Sequence, residues 1–219
     1  MRDYQKELED RVSFLRDLLK KTRAKGFVFG NSGGKDSALV GILCKKACDN
    51  TIGIIMPCNS KRNYNEDKND GDELAKKFNI EERILDLTPV FNAELEAFNR
   101  IAKTNNSVLI NIPPRLRMTS LYAVAASENL LVAGTGNRSE RFMGYFTKWG
   151  DGAFDVNPIS DLTVTEVYEF LRYLDAPKNI INKAPSAGLY EGQTDEKDMG
   201  VTYDAIDRYI FGQQVTEQE

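Results

Sequence analysis

The sequence predicts an α/β fold: a doubly wound, mostly parallel sheet with helices on both faces. Strand-like runs recur at Gly26–Phe29, Thr51–Met56, Arg83–Asp86 and Leu130–Ala133. Helical stretches near residues 36–48, 66–78, 88–103 and 114–128 separate them, the alternation expected of a parallel sheet covered on both sides. The first run also passes through a glycine turn straight into a helix, and such sheets bind ligands at the carboxyl ends of their strands.

Before that core, residues 4–21 carry Leu8, Val12, Leu15 and Leu19 at helical spacing with charges between them, an amphipathic helix with a structural role. Phe27-Val28-Phe29 then leads into Gly30-Asn31-Ser32-Gly33-Gly34-Lys35-Asp36-Ser37, followed by the apolar start Ala38-Leu39-Val40. Glycines and serines let this turn aim several N–H groups at one point, where the helix dipole also favours negative charge, so the run reads as a phosphate cradle. It is neither the Walker loop nor the dinucleotide fingerprint. Gly30 lies one residue too close to Gly34-Lys35, and Asp36 stands where the Walker hydroxyl belongs.

Thr135-Gly136-Asn137 follows the fourth strand and is expected at the same sheet edge. Residues 144–157 turn to glycine, aromatic and acidic side chains without a period, a long ordered loop. Thr163-Val164-Thr165-Glu166 has the spacing of a capping box opening a helix to about Leu174. Residues 179–199 read as loop and 201–211 as a last short helix, with no internal repeat, so the expectation is one domain over 1–219 with its core at 26–211.

A net charge of −4 and a pI near 5.2 argue against a nucleic-acid surface. No run is long and apolar enough for a membrane span and no leader is evident, so a cytoplasmic protein is expected. Three cysteines, Cys44, Cys48 and Cys58, fit a reducing compartment. The absence of histidine removes the commonest general base and the Ser-His-Asp and Cys-His systems. Chemistry here must run on positioning, Mg²⁺ and charge stabilisation by Lys, Arg and backbone. Asp36 is placed to supply one Mg²⁺ ligand beside bound phosphates and Glu140 is the best candidate for a second. Arg115, stiffened by Pro113-Pro114, and Lys148 can pair with anionic groups.

The loop GNSGGKDS resembles that of the N-type ATP pyrophosphatases, which split ATP between the α and β phosphates. The segments NIPPRLRM (111–118), GTGNRSE (134–140), GYFTKWGDG (144–152), DVNPI (155–159), KAPSAGL (183–189), GQTDE (192–196) and GVTYDAID (200–207) are similar, in order, to the ammonia-dependent NAD synthetases. The resemblance runs from about residue 4 to 211. It implies an adenine nucleotide alpha hydrolase-like fold, a homodimer packed through long helices, and amidation of deamido-NAD by ammonia through an acyl-adenylate, with release of AMP and pyrophosphate. ATP contacts are implied for Gly30, Asn31, Ser32, Gly33, Gly34, Lys35, Asp36, Ser37, Thr135 and Ser186, and Mg²⁺ ligation for Asp36 and Glu140. Arg115, Lys148 and Asp155 are implied to contact deamido-NAD. Lys35 and Asp36 are the expected catalytic groups, with Asp151 positioning or deprotonating ammonia.

Two departures stand out. Val164 takes the place of a lysine that the family uses against ATP, and the family's C-terminal His-Lys pair has no counterpart before Glu219. A chain of 219 residues leaves room for the synthetase unit alone, so free ammonia is the expected nitrogen source. The competing readings are a pyrophosphatase acting on another acid or a tRNA base, and a degenerate nucleotide-binding paralogue.

Overall fold

The computed structural model describes residues 2–59, 61–183 and 194–216, of which 61–69 are described by backbone alone. The order is α1 (Tyr4–Thr22), β1 (Phe27–Gly30), α2 (Lys35–Ala47), β2 (Thr51–Ile55), α3 (Lys61–Phe78), β3 (Glu81–Ile84), α4 (Thr88–Phe98), α5 (Asn106–Glu128), β4 (Leu131–Val132), α6 (Arg138–Met143), α7 (Val164–Tyr173), α8 (Lys178–Asn182), α9 (Asp195–Met199) and α10 (Tyr203–Ile210). Four parallel strands form one sheet in the order β3-β2-β1-β4. The chain therefore winds outward from β1 through β2 to β3, then returns to place β4 on β1's other side. That reversal opens a crevice at the carboxyl ends of β1 and β4.

Alternation along β1 builds both layers. Phe27 and Phe29 face one side with Leu15, Leu39, Leu43, Ile159, Phe170 and Leu171, while Val28 faces the other with Ile52, Ile54, Phe91, Leu130 and Val132. Gly41 on α2 is required by this packing, because a Cβ there would lie 2.5 Å from Phe29 Cζ. A parallel bridge between Ala133 and Val156 continues the sheet past β4 and brings the chain after the 144–152 loop back to the crevice.

Several elements differ from expectation, among them α3, which begins at Lys61 rather than near 66, and α4, which ends at Phe98 rather than near 103. α5 begins at Asn106, not near 114, because the Asn105 side chain accepts from the Val108 amide and starts the helix ahead of Pro113-Pro114. Both prolines lie inside α5 and are buried. β3 starts at Glu81, two residues before the apolar signal, since an edge strand tolerates the exposed Glu81 and the half-buried Glu82 and Arg83. α6, α8 and α9 occupy stretches without a helical apolar period and are short, six, five and five residues.

Candidate active site

The crevice holds a cavity of about 670 Å³. Gly30, Asn31, Ser32, Gly34, Lys35, Asp36 and Ser37 line it from β1 and α2, Thr135 and Glu140 from the β4 side, and Asp151 from the 144–152 loop. The turn into α2 is built by its own side chains. The Asn31 amide donates to Ile54 O at 2.9 Å, the Gly33 amide to Asn31 Oδ1 at 3.3 Å and the Gly34 amide to Ser32 Oγ at 3.3 Å. Gly33 has φ +68°, a left-handed conformation that needs glycine. Among the described residues no side chain caps α2 at Gly34, which leaves its first amides for an anion.

Asp36, in the first turn of α2, meets α6 across this crevice. Asn137 Nδ2 donates to Asp36 Oδ1 at 3.2 Å, and Asn137 is also the N-cap of α6. Its side chain accepts from the Glu140 amide at 2.9 Å, while its own amide donates to Glu140 Oε2 at 3.0 Å. One asparagine thus ties both acids, a function missed from sequence although Asn137-x-x-Glu140 has capping-box spacing. Lys35 Nζ bonds Asp36 Oδ2 at 2.6 Å. Burial works against the Lys35 charge, but Asp36 and Glu140 outweigh it and hold its pKa above the lysine value. Burial, then Asp36, push the Glu140 carboxyl well above the usual carboxylate range, against the opposing pull of Lys35 and the Asn137 amide. The buried Asp195 raises it further.

The paired negative charge of Asp36 and Glu140 beside Lys35 is what a divalent cation would relieve. Two carboxylates beside a phosphate cradle suit Mg²⁺, which keeps waters and substrate phosphates as its other ligands. Asp36 and Glu140 fit that donor set.

Asp151 is exposed as a residue, yet its carboxyl sits in the cavity wall, where burial raises its pKa against the Thr147 amide that donates to Oδ1 at 2.8 Å. The loop carrying it is pinned to α5: Thr147 Oγ1 donates to Asn111 Oδ1 at 3.0 Å, Arg115 Nε to Lys148 O at 3.2 Å, and Gly150 lies so close that a Cβ would be 2.9 Å from Pro114 Cβ.

Arg115, Lys148 and Asp155 do not line the cavity. Arg115 and Lys148 lie exposed beside each other on the outer side of the loop, with Lys148 Nζ 5.6 Å from the Trp149 ring centre. Asp155 accepts from the Val132 amide at 2.8 Å and from Tyr122 Oη at 3.2 Å, fastening the loop's exit to β4. Ser186 lies outside the described residues. Val164 is 4 % exposed and packs with Tyr203 and Ile206 away from the cavity. Sequence reasoning also gave no role to Tyr168, Lys183 or Asp198, which line the wall beside Asp195.

The family model described as NAD synthase matches residues 7–219. An NH(3)-dependent NAD(+) synthetase of Carboxydothermus hydrogenoformans is 47 % identical over 212 residues, 95 % of this chain and 86 % of the relative. The solved NMN synthetase of Francisella tularensis superposes with a TM-score of 0.94 at 41 % identity, covering 100 % of this chain and 90 % of that one. The NH3-dependent NAD synthetase of Campylobacter jejuni gives a TM-score of 0.78 at 35 % identity, over 83 % and 78 % of the two chains. With its phosphate loop, paired acids and parallel sheet in this register, the chain belongs to the NAD synthase family.

Proposed function

We infer that the protein is an ammonia-dependent NAD synthetase, a ligase that amidates deamido-NAD at the expense of ATP. The observation that carries this is the meeting of Asp36 and Glu140 through Asn137 at the mouth of the phosphate cradle. Triphosphate oxygens would sit on the amides at the start of α2, residues 35–37, with Lys35 facing their charge. Mg²⁺, held by Asp36 and Glu140, would neutralise phosphate charge.

A carboxylate is a poor acyl donor until its oxygen carries a good leaving group. The nicotinate carboxylate of deamido-NAD attacks the α phosphorus of ATP, the bond to the β-phosphate oxygen breaks, and pyrophosphate leaves on the cradle. Ammonia then attacks the carbonyl carbon of the acyl-adenylate, AMP departs, and the nitrogen loses a proton. Asp151, whose burial raises its affinity for protons, would accept it. Orientation within the cavity supplies much of the rate, and no histidine is needed.

Arg115 and Lys148, side by side outside the cavity, would take the far anionic end of the dinucleotide, and Asp155 would serve by fixing the intervening loop. Exposed Val90, Ile101 and Leu109 on and between α4 and α5 would be covered in a homodimer packed through these helices. The protein would work in the cytoplasm.

A second reading is favoured by one observation, the fuller superposition on the protein named NMN synthetase. In that reading the acid is nicotinate mononucleotide, with the same two steps. One experiment separates them: pyrophosphate and amide formation from Mg-ATP and ammonium with deamido-NAD, with nicotinate mononucleotide, and with neither. Pyrophosphate coupled one-to-one to NAD supports the dinucleotide; a kcat/KM at least tenfold greater for the mononucleotide reassigns the substrate. Pyrophosphate release with neither acid refutes both.

A further inference from the structure

Helix α10 makes two side-chain connections into the site, one turn apart: Tyr203, whose ring also packs on Val164 and Ile206, and Asp207. Tyr203, 3 % exposed, places its ring 5.5 Å from Lys35 Nζ and donates from Oη to Asp195 Oδ2 at 3.0 Å. Asp207, also 3 % exposed, accepts from Ser139 Oγ and, through its other oxygen, from the Thr165 amide at 2.8 Å. Ser139 is fully buried, precedes Glu140 on α6, and accepts from the Val164 amide at 3.1 Å.

An aspartate buried at this junction is a poor choice for packing alone, since a charge removed from water needs every lone pair engaged. Here its two oxygens are spent on the helix that carries Glu140 and on the first turn of α7. The Tyr203 ring gives Lys35 a second partner in a cluster of acids, so that the ammonium is drawn toward the aromatic face as well as toward Asp36.

We propose that α10 is the positioning element of the phosphate site: Tyr203 sets Lys35 and Asp195, and Asp207, through Ser139, sets the helix that presents Glu140. This rests on the reading of Asp36 and Glu140 as the Mg-ATP site. Tyr203 and Asp207 touch no reacting atom; they act through the residues that do.

The test compares Tyr203→Phe, Tyr203→Leu, Ser139→Ala, Asp207→Asn and the Ser139→Ala/Asp207→Asn pair in the full chain. Melting temperature, KM for Mg-ATP and KM for ammonium are measured for each. The phenylalanine variant, which keeps the ring over Lys35, stays within about threefold of the parent in Mg-ATP KM, while the leucine variant rises about tenfold or more. Ser139→Ala and Asp207→Asn each raise Mg-ATP KM about five- to tenfold, less than multiplicatively when combined because they share one path, with ammonium KM unchanged. Ser139→Ala removes one oxygen and keeps the test open should Asp207→Asn fail to fold. Loss of melting temperature with unchanged Mg-ATP KM, or equal rises in both KM values, overturns the proposal while leaving the ATP site standing. A parent protein that neither binds nor turns over Mg-ATP overturns the ATP site and the proposal with it.

Discussion

Asn137 Nδ2 donates to Asp36 Oδ1 at 3.2 Å, joining positions 101 residues apart at the one edge where β1 and β4 both end. The same asparagine caps the helix of Glu140. The two acids, each in the first turn of its helix, are therefore held together through one asparagine, by its side chain at Asp36 and by its backbone amide at Glu140.

Asp36→Asn tests the centre of that arrangement. The amide preserves shape but forfeits the charge facing Lys35 and any cation. Amide product and pyrophosphate fall by on the order of 10²–10³ in kcat, with melting temperature changed by little because the site opens into the cavity. Near-parental turnover would reject Asp36 as a metal ligand.

Acid lability is written into the junction of α1 with the 157–161 turn. Arg11 bonds Asp161 at 2.7 and 2.8 Å and Glu7 at 2.7 Å. Burial alone would raise both carboxyls, but hydrogen bonds from Arg2 and Arg11 at Glu7, and from Arg11 at Asp161, outweigh it and leave both pKa values lowered. A depressed folded value means that the unfolded chain binds these protons more tightly. The stability they give is complete above the unfolded values near about 4 and is lost as pH falls through the folded ones. Melting temperature followed from pH about 6 to about 2.5 drops steeply below pH about 4 in the parent. Arg11→Met starts lower at pH about 6 and falls less over that range; a parallel curve would contradict the linkage.

Gly150→Ala separates loop position from stability. The new methyl would sit 2.9 Å from Pro114 Cβ and 3.0 Å from Thr147 Cγ2, so the 144–152 loop must lift from α5 and carry Asp151 with it. Overpacking of this kind costs about 1–3 kcal/mol, most of it released by movement of a surface loop. The expected outcome is a fall of about tenfold in kcat/KM for ammonium with a melting temperature near the parent's.

Asp155→Ala acts on the sheet. It leaves the buried Val132 amide without its acceptor and removes the partner of Tyr122. About 1–3 kcal/mol of stability is lost, read by denaturant unfolding. Unchanged stability with a large rise in KM for the acid substrate would move Asp155 from loop anchor to substrate contact.

Much of this was legible in the chain. β1 and β2 announce themselves as buried runs, and the GNSGGKDS turn carries the phosphate cradle in its own side chains. Thr163 and Glu166 form the capping box that their spacing predicts. The failures share a cause. Pro113-Pro114 is a local breaking signal, yet both rings are buried in α5, so tertiary packing overrode it. β3 is an edge strand whose charged start has no periodicity to read. Asp195, Tyr203 and Asp207 come to the site from beyond residue 190, and nothing local in their segments says which distant helix they will touch. Long-range pairing of this sort is written in the fold, not in spacing.

The strand order also dictates when in the protein's synthesis the chemistry can first exist. β1 and its cradle leave the ribosome early, but β4, Asn137 and Glu140 follow about a hundred residues later, and Asp207 later still. A nascent chain halted before β4 owns a pocket for phosphate with no second acid beside it. On the proposed reading, ATP-splitting power would be withheld from every incomplete copy, and the site would be complete only once the last helix has docked.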